Sequence, residues 1–197
     1  MLNLEQGKKL IKLARDSILA SFSGKTPRVS AAIEKEFGEA RGVFVTLNKN
    51  NQLRGCIGYP EPVMPLFEAV VNAAKSAASS DPRFPPVEKV EFEGITVEVS
   101  VLTLPRMIEI RNPEDYFAKI KIGRDGLIVR GTYQSGLLLP QVAVEYRWDA
   151  KTFLEQTCRK ANLPANLYND FNQVRVYSFQ SQVFSEETPK GNVVIRM

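Results

Sequence analysis

Two short β-forming runs, Val43–Leu47 and Leu53–Gly58, flank the polar stretch Asn48-Lys49-Asn50-Asn51-Gln52, and they constrain this chain more than any other segment. Apolar residues alternate through the first run, and the intervening amides favour a turn, so the segment reads as an antiparallel hairpin. Closed symmetrically, the hairpin sets Leu47 opposite Leu53, Val45 opposite Gly55 and Val43 opposite Ile57. Phe44, Thr46, Arg54 and Cys56 then share the other face, because side chains alternate along a strand. The second run is Leu53-Arg54-Gly55-Cys56-Ile57-Gly58, which puts a thiol two residues from a guanidinium with a glycine on each side of Cys-Ile.

Pro60, Pro62 and Pro65 lead into a helix that the spacing carries to about Ser79, since proline suits a first helical turn. Leu66, Val70, Ala73, Ala74 and Ala77 form a lean apolar stripe on it. Asp81-Pro82-Arg83-Phe84-Pro85-Pro86 then stops the helix. Ile95–Thr103 alternates as a half-buried strand, with Thr96, Glu98 and Ser100 on its polar side. Upstream, Leu4–Phe22 reads as an amphipathic helix with Leu10, Ile11, Ala14, Ile18 and Phe22 inward and Lys8, Lys9, Lys12 and Arg15 opposite. Gly24-Lys25-Thr26 is a helix stop rather than a phosphate loop, because position 19 is Leu and the preceding element is helical.

The second half echoes the first. Lys119–Ile122 and Leu127–Arg130 flank Gly123-Arg124-Asp125-Gly126, a hairpin-turn signal. Gly136–Leu139 is a short strand, and Pro140 opens a turn or short helix. Asp149 caps a helix carrying Phe153, Leu154, Thr157, Cys158 and Ala161, and Val174–Phe184 is mostly strand. Hairpin, proline-led turn, helix and strand thus occur twice with no linker between. The expectation is an α+β chain in which two similar, interlocked subdomains, approximately 1–104 and 105–197, share a mainly antiparallel, barrel-like sheet with flanking helices.

Composition excludes much chemistry. The chain has 197 residues, a net charge of +4, 2 cysteines and 0 histidines. Without imidazole there is no Ser-His or Cys-His pair, and two cysteines do not make a four-thiolate zinc site. Glu34/Glu36, Glu91/Glu93 and Glu186/Glu187 read as solvated pairs, so neither a metal nor a cofactor is expected. The basic residues are scattered, which gives weak support to nucleic-acid contact; Tyr59, Phe84 and Tyr133 are the aromatics such contact would use. No run approaches the roughly 18 apolar residues of a membrane span. Two dissimilar, distant cysteines fit a cytoplasmic location.

Cys56 is the candidate reactive residue. Arg54, about 7 Å along the same strand face, favours its thiolate. Gly55 and Gly58 permit close approach of a ligand or, equally, of the protein's own backbone. Thr46, Arg54, Gly55, Gly58, Arg83, Glu98, Gln141 and Glu145 make up the candidate ligand-binding set. Arg54 and Arg83 either anchor an anion or pair with a structural acid such as Asp81 or Glu98. Gln141 and Glu145 follow an apolar strand end, where a polar pair lines a crevice or an exposed helical turn. Cys158, on the apolar side of its helix, reads as core.

Four ordered motifs carry a resemblance. Leu53–Gly58, Asp81–Pro86, Ile95–Thr103, and Gly136–Ala143 with Phe153–Cys158, resemble the hallmark segments of the AMMECR domain family. That resemblance spans nearly the whole chain and implies an α+β fold with two similar subdomains. It implies little about activity, since the family has no established reaction. Suggested roles are linked to nucleic acid or to a partnership with Memo-type and radical-SAM proteins. Some relatives carry histidine before the glycine of the hairpin motif; here that position is Asp125.

Two functions therefore stand as expectations. One is a binding or scaffold domain whose Arg54/Cys56/Arg83 cleft, between the subdomains, engages an anionic small ligand, a partner protein or a nucleic-acid phosphate. The other is a Cys56-dependent enzyme or modification factor acting on a small anionic substrate, with Glu98 or Glu145 moving the proton.

Overall fold

The computed structural model describes residues 1–196 and divides into two compact units, Met1–Leu102 with the chain from Gln182 onward, and Thr103–Ser181. The last residues, which the sequence groups with the second half, belong to the first unit. In chain order the first unit contains α1 (Leu4–Ser21), α2 (Ala31–Glu36), β1 (Val43–Lys49), β2 (Gln52–Tyr59), α3 (Leu66–Ser79), α4 (Lys89–Phe92) and β3 (Ile95–Leu102). The second contains β4 (Arg106–Met107), α5 (Asp115–Lys119), β5 (Asp125–Arg130), β6 (Ser135–Leu138), α6 (Pro140–Glu145) and α7 (Ala150–Lys160). Strand β7 (Arg175–Glu186) begins in the second unit and ends in the first, where β8 (Val193–Arg196) pairs with it. Each unit is a mixture of helices and antiparallel strands, and among the described residues no helix is long and apolar enough to cross a membrane.

In the first unit β1 pairs with β2 on one side and β3 on the other, all antiparallel. Alternation buries Val43, Val45 and Leu47 of β1 and Ile95, Val97 and Val99 of β3 on one face. Helices α1 and α3 pack on that face, α3 through Leu66, Val70, Ala73, Ala74 and Ala77. Asn3 and Gln6 form a reciprocal cap at the start of α1, satisfying backbone donors the helix leaves open.

The hairpin turn is tighter than the symmetric reading. Asn50 and Asn51 both take positive φ, 51° and 62°, so a two-residue turn is closed by Lys49 opposite Gln52. Asparagine tolerates that conformation, which lets the strands run further into the polar stretch. Counted from this turn the register gains one residue at a bulge between Leu47 and Asn48, and Arg54 is the residue left unpaired. Thr46 then faces Cys56, and Phe44 faces Gly58. Arg54 thereby leaves the regular alternation that the symmetric hairpin assigned to it.

Two charges are also placed differently. Arg15 is buried rather than solvated among the lysines, and Glu186 is buried rather than half of an exposed pair. Arg15 Nε and Nη2 donate to the Glu186 carboxylate at 2.5 and 2.6 Å, Nη2 also reaches the Ile95 carbonyl, and Glu186 accepts the Val97 amide at 2.9 Å. The pair joins α1, β3 and the end of β7, and it excludes the third carboxylate pair from the solvated set.

In the second unit Gly123–Gly126 is not a hairpin turn. Asp125 is buried, and its carboxylate accepts the Lys121 amide at 2.9 Å and the Arg124 guanidinium at 2.8 Å. Those bonds fold residues 121–125 into a turn after α5, and β5 starts at Asp125. The hairpin is β5 with β6, closed by the Gly131 amide on the Gln134 carbonyl at 2.8 Å. Strand β5 also pairs with β7, and α7 packs Phe153, Leu154 and Cys158 into this unit's core.

Candidate functional site

The outer face of the first unit's sheet brings several of the expected residues together. Cys56, Thr46 and Glu98 occupy one cross-strand row on β2, β1 and β3, and Gly58, Phe44 and Ser100 occupy the next. The Thr46 hydroxyl donates to Cys56 Sγ at 3.3 Å. Cys56 and Glu98 are half-buried, and burial pushes the Glu98 carboxyl above its ordinary range despite the Arg196 charge and the Ser185 hydroxyl. The polar side of β3 is thus more enclosed than solvent-facing alternation suggests.

At the edge of the sheet, Asp81 holds the amide of Cys56 and Arg83 its carbonyl. The buried Asp81 carboxylate accepts the Cys56 amide at 2.8 Å, and Arg83 Nη2 donates to the Cys56 carbonyl at 3.2 Å. Asp81 also takes Arg83 Nε at 3.0 Å and Nη2 at 2.7 Å. A carboxylate and a guanidinium thereby replace the neighbouring strand that an edge residue lacks. The Arg83 bonds and the Cys56 amide hold the Asp81 carboxyl far below the usual carboxylate range. In return Asp81 raises the Arg83 pKa, with a smaller contribution from Cys56. The Arg83 side chain stays 53% exposed, and its Nη1 takes part in none of these bonds.

Arg54 is elsewhere occupied. Its Nε and Nη2 bind the Glu91 carboxylate at 2.8 and 3.0 Å, and Nη1 donates to the Pro85 carbonyl at 2.9 Å. Only 14% of the side chain is exposed. Glu91, solvated by the sequence reading, has its pKa lowered to about 2 by Arg54 first and Lys49 second. Arg54 is a strut between the hairpin bulge and the Pro85-Pro86 loop, which is the structural-acid reading with Glu91 in place of Asp81 or Glu98. Phe84 lies beneath both guanidiniums, 5.5 Å from Arg83 and 6.0 Å from Arg54.

The glycines answer to the protein's own packing. A Cβ on Gly55 would stand 2.2 Å from the Ala77 carbonyl oxygen of α3, and one on Gly58 would stand 2.3 Å from the Val43 carbonyl oxygen. Gln141 and Glu145 are exposed on α6 of the second unit. Cys158 is fully buried, and burial pushes its thiol up to about 11. Sequence reasoning missed Glu91 as a partner and Asp81 as the residue that fixes Cys56. The Asp-Pro step at the end of α3 was the available signal for the second.

Comparison with known proteins agrees with the four motifs. The AMMECR1 family model matches residues 11–184. A protein of Methanothermobacter thermautotrophicus is 51% identical over 187 residues, covering 94% of this chain and 97% of its own. One from Methanocaldococcus jannaschii is 47% identical over 196 residues, covering 98% and 96%. The crystal structure of an uncharacterised protein from Pyrococcus horikoshii superposes with a TM-score of 0.86 at 46% identity, covering 99% of this chain and 98% of that one. Matched along nearly its whole length in both sequence and fold, the chain belongs to the AMMECR1 family.

Proposed function

We propose that the chain is a binding module, and that the face formed by Thr46, Cys56 and Glu98, with Arg83 at its edge, holds an anionic group. The observation that supports this reading is the state of Arg83. Its guanidinium is fixed on one side by Asp81 and the Cys56 carbonyl, yet half of the side chain remains exposed. A pre-oriented guanidinium loses little freedom when it binds a carboxylate or phosphate oxygen. Lys49, Arg54 and Arg83 stand against Asp81 and Glu91 in this cluster, and burial biases the remaining carboxyl, Glu98, toward its neutral form. The anion belongs to a small ligand, a partner protein or a nucleic-acid phosphate; Arg83 recognises the chemistry common to all three.

Calorimetric titration with inorganic phosphate tests the reading. The wild-type protein is expected to bind saturably, and Arg83→Lys, which keeps the charge but loses the planar fork, to weaken binding about tenfold or more. Equal binding by both proteins would overturn it.

A second reading has its own observation. The Thr46 hydroxyl places a hydrogen-bond donor on the Sγ of a half-buried thiol, which is where a reacting cysteine would sit. Titration with a thiol reagent separates the two, because buried Cys158 is an internal control. Rapid modification of Cys56 alone supports chemistry there, and inertness of both thiols leaves only binding.

A further inference from the structure

Tyr146, Arg147 and Trp148 lie in the second unit, apart from the residues of the binding proposal in sequence. They come directly after α6, whose buried residues are Pro140 and Ala143. The Trp148 amide reaches back to the Ala143 carbonyl at 2.8 Å, the wrap that ends many helices. The position that glycine ordinarily fills in this wrap is Arg147, at φ 54°. A side chain there is held against its backbone preference.

The turn sets the Tyr146 ring parallel to Trp148, with centroids 4.9 Å apart and planes 18° from parallel. Tyr146 is nevertheless 66% exposed, Val144 53% and Ile122 38%. Gly123, next to Ile122 in the chain, lies beside Val144, where an added Cβ would touch the Val144 side chain at 3.4 Å. Exposed apolar and aromatic side chains thus gather at this one turn, and exposed apolar patches mark interaction sites. Tyr, Arg and Trp are also the residue types that most often carry binding energy at protein interfaces.

The charges indicate what covers it. Lys121, Arg147 and Lys151 enter no ion pair among the described residues, while Arg124 is tied to Asp125. Against these three cations stand two acids, Glu145 and Asp149, the latter capping α7 through the Thr152 amide and acted on by Lys151, so one positive charge is left over. An apolar surface with surplus positive charge fits an acidic amphipathic segment. We propose that this surface docks such a segment of another protein, with an apolar side chain on Tyr146 and Val144 and a carboxylate on Arg147.

Trp148 is the only tryptophan of the chain, so its fluorescence reads the surface directly. The probe is a synthetic peptide of leucine and glutamate at helical spacing, compared with its leucine–lysine counterpart and with oligothymidylate. The acidic peptide is expected to change Trp148 emission saturably and to bind at least about tenfold tighter than the basic one. V144S/Y146S is expected to lose at least about tenfold in affinity. R147G relieves the left-handed residue, so it is expected to melt at or above the wild-type temperature while binding the peptide more weakly. Undiminished binding by R147G, equal binding of both peptides, or preference for oligothymidylate would each overturn the proposal.

Discussion

The two units build one arrangement twice. Strands β2-β1-β3 with α3 in the first correspond to β6-β5-β7 with α7 in the second, each sequence running hairpin, proline, helix, strand. Both bring the helix close to the second hairpin strand at a glycine. A Cβ on Gly55 would stand 2.2 Å from Ala77 O, and one on Gly136 would stand 2.3 Å from Ala161 N. The copies part at the next residue. Cys56 is held by Asp81 and Arg83, whereas the residue after Gly136 is Leu137, and Leu163 in the loop after α7 packs toward the second core. The glycine contact therefore belongs to the scaffold, while the ionic clamp is an addition to one copy. Function is better sought in what the copies do not share.

The largest expected effect lies in the buried Arg15–Glu186 pair, which joins elements of the first unit. Glu186→Ala leaves a buried guanidinium uncompensated and should cost about 3–5 kcal/mol in chemical denaturation. In the ion pair of the second unit, Arg124–Asp125, the arginine is half-exposed and the buried carboxylate keeps the Lys121 amide, so Arg124→Ala should cost less, about 1–2 kcal/mol. Equal losses would break this contrast.

Arg54→Ala comes next, at roughly 2–4 kcal/mol, because it removes charged hydrogen bonds to Glu91 and the proline loop. Glu91 has a folded pKa of about 2 against 4.5 unperturbed. Its depressed pKa means that its stabilisation is complete above about pH 4.5 and fades as pH falls toward 2. Stability measured across that window should fall less steeply in Arg54→Ala than in wild type. An unchanged slope would show that Arg54 does not act through Glu91.

Gly55→Ala and Gly136→Ala sharpen the shared part of the comparison. Each forces a helix away from its hairpin, at about 1–3 kcal/mol. A large loss at one position and none at the other would show that the two contacts are not equivalent. Cys56→Ser should change stability least, by about 0.5 kcal/mol or less, since the clamp grips only backbone atoms of residue 56. A melting temperature many degrees lower would make the thiol structural.

Much of the fold was legible from local pattern. The prolines before α3, the apolar stripe on that helix and the alternation of β3 each come from spacing within one element. Glycine inside a strand signalled close approach at Gly55, although not that α3 was the neighbour. The pair of Arg15 with Glu186 was hidden because its members are 171 positions apart. Arg15 does lie four residues after Ile11 and three before Ile18, at the flank of the apolar stripe. The mistaken hairpin at Gly123–Gly126 arose because glycine spacing does not reveal that the Asp125 carboxylate will turn inward and satisfy the Lys121 amide. The bulge that displaced Arg54 depends on the partner strand, which turn composition alone does not specify.

The central claim is that the clamped edge of the first unit binds an anion and that the matching edge of the second does not. Residue-resolved NMR during titration with inorganic phosphate compares the two edges in one sample. Saturable shifts are expected at Thr46, Cys56 and Arg83, reduced in Arg83→Lys, with Gly136 and Leu137 unmoved. Shifts of equal size at both edges, or shifts scattered over the surface lysines with none at Cys56, would contradict it.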